Sequence, residues 1–364
     1  MAESQRGESF SARAWRRLKT HPQGMSGLAI VILLAFTSVT APLMANDRPI
    51  VAQYKGEWVA PAMVAYVESW VPWQSLRYEL QSWEASAGFF PFAEHYAILE
   101  GKRWKEVRES EQMGFAIWPP VPWNPNQFDP SVLRLKPGEA PGHLLGTDDR
   151  GRDVLARLIH GSVVAMLVGV VAMSIATTIG SLLGVTAGYF RGWVDMVLSR
   201  VAEVVMCFPF FFLVIAVIAF LEPSIINIMV TLGLISWTSI FRLVRGEVLK
   251  TREMEFVTAA RALGVPSWRI MTHHLLPNAI SPVFVSVAFG IASAVLTETS
   301  LSFLGFGDPS MPSWGEIVSQ GRNYINQGLW HLAVLPGVAI FITLTGFNLL
   351  GQGLRDALDP KLRL

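Results

Sequence analysis

The chain has 364 residues, of which 51% are hydrophobic and only 16% charged, with a mean hydropathy of +0.39. Soluble globular proteins carry roughly a quarter charged residues, so the composition points to a membrane. The 29 Lys and Arg nearly cancel the 28 Asp and Glu, which excludes the basic excess a nucleic-acid binder needs for phosphate contacts. With one cysteine, Cys207, neither an intrachain disulfide nor a cysteine-cluster metal site is possible.

Crossing a hydrocarbon core of about 30 Å takes about 20 helical residues. Six apolar stretches meet that need, at 25–44, 163–187, 204–221, 225–241, 279–297 and 332–350. Only the turn Leu221-Glu222-Pro223-Ser224 separates the third from the fourth, which reads as a helical hairpin. Arg6, Arg13, Arg16, Arg17 and Lys19 precede the first stretch and place the N-terminus in the cytoplasm. Alternation then puts 188–203, 242–278 and 351–364 inside, with two, six and three Lys or Arg, whereas the outer 305–328 loop has only Arg322. The first apolar run is too long, and Leu43-Met44-Ala45 too poor a cleavage site, for a signal peptide, so it reads as an uncleaved anchor.

The expected organisation is a cytoplasmic tail at 1–24, the anchor at 25–44, an extracytoplasmic insert with a collar helix at 45–161, a membrane core at 162–353 and a cytoplasmic tail at 354–364. The fold class is an all-α polytopic membrane protein with six transmembrane helices. The insert holds seven of the 13 tryptophans: Trp58, Trp70, Trp73, Trp83, Trp104, Trp118 and Trp123. Disordered linkers are poor in aromatics, so the insert reads as ordered. Its tryptophans suit either a lipid interface or a docking surface. Its charged middle, from Glu94 to Glu111, reads as a surface helix, and Trp118-Pro119-Pro120-Val121-Pro122 as an extended run. Near its end, Asp148, Asp149, Arg150, Arg152 and Asp153 form a charge cluster. Thr147 or Asp148 is placed to cap an amphipathic collar helix running to His160, with Val154, Leu155, Leu158 and Ile159 on its apolar side.

The stretch between the fourth and fifth apolar segments carries the most information. Residues 253–263 are mostly good helix formers, Gly264 supplies the positive φ that closes a helix, and Pro266 suits the first turn of a new one. Two short helices with a sharp bend result. Ala259 and Ala260 let another protein approach the backbone closely, while Arg245, Arg261 and Arg269 offer charge to an acidic rim. Taken alone, Ala-Ala-x3-Gly is more often an ordinary capped surface helix; its place between two membrane segments favours a docking knob.

These residues resemble the coupling signature of ABC importer permeases, Glu-Ala-Ala, three residues, Gly, then an apolar-Leu-Pro ending. The match is Thr258-Ala259-Ala260, Gly264 and Leu275-Leu276-Pro277, with Thr258 where Glu is usual. The stretches His143 to Asp153, Leu301 to Gly307, Pro312-Ser313-Trp314-Gly315 and Asn348 to Pro360 resemble the second permease of dipeptide and oligopeptide importers. The long insert is similar to the subgroup that includes the microcin C and oligopeptide permeases.

The resemblance implies a type I importer permease fold and transport of peptides, possible cargo including peptide-like antibiotics. It implies a second homologous permease, two cytoplasmic P-loop ATPases and an extracytoplasmic substrate-binding protein as partners, beside membrane lipid. No cofactor is expected on this chain; ATP and Mg belong to the ATPases. The ATPase-coupling loop would comprise Glu255, Thr258, Ala259, Ala260, Arg261, Ala262, Leu263, Gly264, Val265, Pro266 and Arg269. Cell-membrane placement is expected with both termini cytoplasmic.

Asn227, Thr231, Ser236, Thr238, Ser239, Thr343, Thr345 and Asn348 are candidates for the substrate path, though each could equally bond a neighbouring carbonyl. Counting at about 1.5 Å per residue from Ala279 puts Glu298 about 28 Å along its helix, at the outer interface, where a solvated or interface-paired carboxylate is expected. His273 and His274 are adjacent and face differently, so they make no zinc pair. The chain lacks a Gly-x4-Gly-Lys phosphate loop and a Gly-x-Ser-x-Gly elbow, so no enzymatic activity is expected. A nickel-type permease and a passive channel or scaffold are the competing readings.

Overall fold

The computed structural model describes residues 10–54, 57–62, 113–139 and 141–358. The expected surface helix at 94–111 and Trp70, Trp73, Trp83 and Trp104 lie outside the described residues. Contacts divide the chain into two compact units, one of residues 1–34, 165–307 and 338–364, the other of residues 35–164 and 308–337.

The helices in chain order are α1 (Phe10–Thr20), α2 (Pro22–Met44), α3 (Val154–Phe190), α4 (Gly192–Cys207), α5 (Phe210–Phe220), α6 (Ile225–Thr251), α7 (Glu255–Ala262), α8 (Leu276–Phe303), α9 (Trp314–Arg322) and α10 (His331–Leu358). Five helical stretches among the described residues are long and apolar enough to cross a membrane, six if the bent pair α4 and α5 counts as one span. That pair corrects the expected third span at 204–221: the chain turns by 84° at Phe208-Pro209. The cause is local. Proline disfavours helical geometry in the residue before it, and Phe208 is extended at φ −84°, ψ 134°.

The other spans run beyond their apolar cores. At 37 residues, α3 is about 55 Å long and exceeds a hydrocarbon core. It also absorbs the expected collar helix, since 154–160 are its first turns. The cap is Asp153 rather than Thr147 or Asp148: the Ala156 amide donates to Asp153 Oδ1 at 2.7 Å. Similarly, α6 continues ten residues past the expected end at 241 and carries Arg242, Arg245 and Lys250 outward.

In the first unit, α3 lies on α6 through glycines spaced four apart. A β-carbon at Gly180 would meet Ile240 Cβ at 2.7 Å, one at Gly184 the Phe241 carbonyl oxygen at 2.8 Å, and one at Gly188 the Val248 side chain at 2.8 Å. Lipid tails are as apolar as leucine, so helices in a bilayer gain by close backbone approach and dispersion rather than by the hydrophobic effect. A small-residue stripe permits that approach. The same core takes in Val244, Val257, Ala260, Ile270, Leu275 and Val283, so the membrane helices and the 255–275 stretch share one packed interior. The ends of α2 and α10 use the same device, a β-carbon at Gly353 falling 2.4 Å from Gly24 Cα, and His21 pairs with Asp356 at 3.0 Å.

The second unit adds a small antiparallel sheet to the helical class, with β1 (Val51–Tyr54) between β2 (Glu57–Val59) and β3 (Met113–Ile117). The Pro-rich run after β3 bends at Pro120, and Val121 makes an isolated parallel bridge to Ala45. In the charge cluster Asp148, Arg152 and Asp153 are buried, Asp149 is partly covered and Arg150 is exposed. Asp148 accepts from Arg152 Nε at 2.7 Å and from Arg157 Nη1, and Arg157, fully buried, also pairs with Glu316 at 2.8 Å and donates to Gln320 at 2.8 Å. His143 meets Asp153 at 2.9 Å and stacks on Trp123 at 4.1 Å. These bonds fasten 143–157 to α9, which occupies much of the expected 305–328 loop. Trp314 contributes by donating its ring N–H to the Leu158 carbonyl at 2.9 Å.

The glycine stripe yields a contrast on one pair of helices. Gly184→Leu must displace backbone atoms of α6 and is expected to lower stability by about 1–3 kcal/mol. Gly246→Ala, where a β-carbon meets nothing within 4 Å, should be neutral or gain up to about 1 kcal/mol. Thermal unfolding of both variants in detergent checks the pair; a Gly184→Leu protein as stable as the parent contradicts the close-approach account.

Candidate coupling site

The segment joining α6 to α8 is a bent helical element closed by backbone bonds. At the end of α7 the Gly264 amide donates to Arg261 O at 3.0 Å and the Val265 amide to Ala260 O at 3.1 Å. That double closure requires a left-handed residue, and Gly264 has φ +73°. Pro266 follows in extended geometry, at φ −63° and ψ 144°, one place before the new helix rather than inside its first turn. The turn Ser267–Arg269 then runs into a π-helical stretch, Ile270–Leu275, and on into α8.

The element's two faces differ. Val257, Ala260, Ile270 and Leu275 are buried in the core of the first unit. Met254, Phe256, Leu263 and Trp268 are exposed, Leu263 by 83%. Apolar side chains this open on a capped helix end form the tip of a knob. Glu255, Thr258, Ala259, Ala262, Gly264, Pro266 and Arg269 are exposed with them, and Arg261 and Val265 are partly covered.

Three expectations for this element change. Ala260 is buried against the chain's own core, so only Ala259 of the pair leaves its face open. Arg245 is engaged in a two-pronged pair with Asp195 of α4, its Nη2 at 2.7 Å from Oδ2. Arg261 lies over the Tyr189 ring at 4.9 Å. Of the three arginines, Arg269 remains exposed. Arg252, at the exit of α6, also faces Tyr189, and burial together with Arg261 and Arg191 lowers its affinity for its proton.

Two cavities in the first unit share Ser239, Ser286 and Phe289 in their walls. One, of about 580 Å³, is lined by Met173, Met206, Phe210, Ser236, Thr238 and Ser293 among others, with no charged side chain. The other, of about 1020 Å³, includes Glu247, Asn278, Ser281 and Arg355. Ser236 and Thr238 therefore lie on a cavity wall. Asn227 donates instead to the Glu222 carbonyl at 2.8 Å, bracing the turn before α6. Thr343 is buried and back-bonds to Ala339 O at 2.8 Å, and neither it nor Asn348 lines these two cavities. Ser239, also a candidate, lies on both walls, whereas Ser286 and Ser293 were missed because serines in apolar helices also back-bond to their own turns, and the sequence does not tell which do.

Of the two alternatives for Glu298, the solvated one falls: it is 3% exposed and accepts from Ser302 Oγ at 2.6 Å. Counting depth along one helix misses what its neighbours cover.

Helices of this length and hydropathy, joined by a bent connection, define a multi-pass membrane protein. Residues 180–364 match the family model for a binding-protein-dependent transport system inner membrane component, and 9–56 match the N-terminal transmembrane domain of oligopeptide transport permease C. The chain belongs to this family, among the ABC importer permeases of the peptide group, and is the non-catalytic permease subunit of a bacterial importer. The family is one of subunits without bound cofactors that work with an ATPase and a binding protein. The passive-channel reading falls with that assignment.

Among relatives, the dipeptide transport system permease protein DppC of Alkalihalophilus pseudofirmus is 37% identical over 68% of this chain and 82% of its own length. The peptidoglycan transport system permease protein YejE of Agrobacterium fabrum is 32% identical over 96% of this chain and 92% of its own. A solved structure of the MetNI methionine ABC transporter, in inward-facing conformations, matches 55% of this chain and 97% of that chain at 19% identity and a TM-score of 0.43.

The bend makes a sharp prediction at Gly264. A β-carbon there meets nothing within 4 Å, so a substitution acts through the backbone alone. Gly264→Val should strain the left-handed residue by about 1–2 kcal/mol and cut transport, whereas Gly264→Asn, which tolerates that geometry, should keep most of it. Uptake by cells producing each variant at matched levels measures this, and equal transport by Val and Asn contradicts it.

Proposed function

We propose that this chain is one of two homologous but non-identical permeases forming the membrane path of an ATP-driven peptide importer, and that residues 255–271 dock into one of two cytoplasmic P-loop ATPases. The observation carrying this reading is the knob itself: a closed bend whose inner face is core and whose outer face presents Leu263 and Trp268. A rigid knob can transmit motion. ATP changes the membrane helices only if the docked element is held differently in the open and closed ATPase dimer.

Both termini and the 255–275 stretch are cytoplasmic in this reading, and the insert after α2 faces outward, which the Lys and Arg distribution supports. The paired cavities are the half-path contributed by this subunit, with Ser236 and Thr238 joined by Ser239, Ser286 and Ser293. Hydroxyls on an otherwise apolar wall suit peptides, whose backbones offer donors and acceptors whatever their side chains. Thr343 and Asn348 act in that path only if the second permease or substrate rearranges α10. Relatives named for dipeptide, glutathione and peptidoglycan transport favour a peptide over a nickel cargo. We place the chain in the long-insert subgroup, near the microcin C and oligopeptide permeases, because the YejE similarity runs through the insert while the DppC similarity covers 68% of the chain.

A tagged chain purified from its own cells in mild detergent tests the assembly. Mass spectrometry is expected to find two P-loop ATPases and a second permease, and Leu263→Asp should lose the ATPases while keeping the permease. A parent chain that elutes alone in several detergents, or a Leu263→Asp chain with its full complement of ATPase, contradicts the reading.

A further inference from the structure

In sequence the knob is continuous with α6 and α8 but not with α3. Beside the packed core that Val185 of α3 shares with it, its link to α3 among the described residues centres on Tyr189, in the last turn of that helix. The ring is 9% exposed and belongs to the core that holds Val257, Ala260 and Ile270. Its hydroxyl donates to Ser267 Oγ at 3.1 Å, just beyond the bend. Its carbonyl accepts from Arg252 Nη1 at 2.5 Å, at the exit from α6. The Arg261 guanidinium, in the last turn of α7, lies 4.9 Å from the ring centroid and that of Arg252 lies 6.0 Å away. One tyrosine thus contacts the start, the middle and the far side of the connection. A second, exposed pair runs alongside, Arg191 to Glu253 at 3.0 Å.

Both guanidiniums lie against the ring, and Arg252 also has Glu253 at 3.9 Å. Buried nitrogens of both, Nε of Arg252 and Nε and Nη2 of Arg261, make no hydrogen bond. A cation left in that state is compensated by the negative face of an aromatic ring, an interaction that strengthens as water is excluded. The hydroxyl bond adds direction, fixing Ser267 relative to α3.

We propose that Tyr189 is a positioning residue that locks the knob to α3, so that ATPase-driven displacement of the knob carries α3 as a body with α6 and α8. The proposal rests on the coupling role of residues 255–271. Without the lock, the knob would pull on α6 and α8 while α3 lagged, its glycine stripe sliding on α6. Arg261 faces inward for this purpose, which is why it is not an open cation on the rim.

Pulsed electron paramagnetic resonance reads the lock directly. Spin labels go on Thr272→Cys, exposed just beyond the docking residues, and Thr178→Cys in a Cys207→Ser background, in the purified permease–ATPase complex, nucleotide-free and trapped with ATP and vanadate. With Tyr189, and with Tyr189→Phe, which keeps the ring, a single narrow distance common to both states is expected. With Tyr189→Ala, which loses both ring–cation contacts, the distribution should widen about twofold and shift between states, and uptake of a radiolabelled dipeptide per ATP hydrolysed should fall about tenfold. An unchanged width in Tyr189→Ala overturns the proposal. So does widening that Tyr189→Phe shares fully, since that points to general loosening around the hydroxyl. If Tyr189→Ala aggregates, Arg261→Met takes its place: widening supports the lock and an unchanged distribution overturns it. The widening is also measured in the permease free of ATPase, so failure of the lock is distinguishable from failure of the coupling reading, which would show as a parent complex that binds no ATPase.

Discussion

The frame of the membrane unit depends on how closely α3 can approach α6. In a bilayer no water is released from apolar surface when two helices meet, so contact must come from packing, and packing from backbone proximity. Gly180, Gly184 and Gly188 provide it on one side, and Trp237, Phe241, Val244 and Val248 fill the other. Because α6 runs ten residues past its apolar core before turning, the same contact sets the direction in which the bent connection leaves. Arg245, paired with Asp195, fixes that exit against α4. Coupling needs such a frame: a knob on a loosely held helix would dissipate the motion it receives.

The connection itself is a sequence of small constraints that agree. A left-handed glycine ends α7, a proline opens the next turn, and the inner residues Val257, Ala260, Ile270 and Leu275 belong to the same core as α3 and α6. The π-helical stretch before α8 inserts an extra residue per turn, which turns His273 and His274 outward from the core that Ile270 and Leu275 enter. The second unit uses a different principle. Arg157 and Asp148 are both fully buried, and such a pair is tolerated because Glu316, Arg152 and Gln320 complete it. Ion pairing is specific in geometry, so it holds the 143–157 segment to α9 in one register where apolar packing would allow several.

What the sequence revealed was local, and what it hid was contact at a distance. Gly264 was legible because a helix closure needs a residue that adopts positive φ, whatever surrounds it. The membrane helices were legible because hydrophobic runs of that length have few other uses. Arg245 and Arg261 were misread as open cations because their partners, Asp195 and Tyr189, lie 50 and 72 positions away and nothing local announces them. Ala260 was misplaced, and the solvated alternative for Glu298 fell, for the same reason: burial is conferred by neighbours. The break at Pro209 differs, since the proline was in view. Averaging hydropathy across Val204–Leu221 hid a residue that ends a helix however apolar its surroundings. The collar helix was a boundary error of the same kind, an amphipathic start that turned out to be the first turns of a longer helix.

The central claim is that the exposed tip of the bend touches the ATPase. Leu263→Cys in a Cys207→Ser background, treated in the purified complex with a short thiol-to-amine cross-linker, tests it most directly, with the exposed Leu144→Cys in the second unit as the comparison. The account predicts a covalent adduct of this chain with an ATPase subunit from Leu263→Cys and none from Leu144→Cys. No adduct from Leu263→Cys in a complex that retains its ATPases, or equal adducts from both positions, would contradict it.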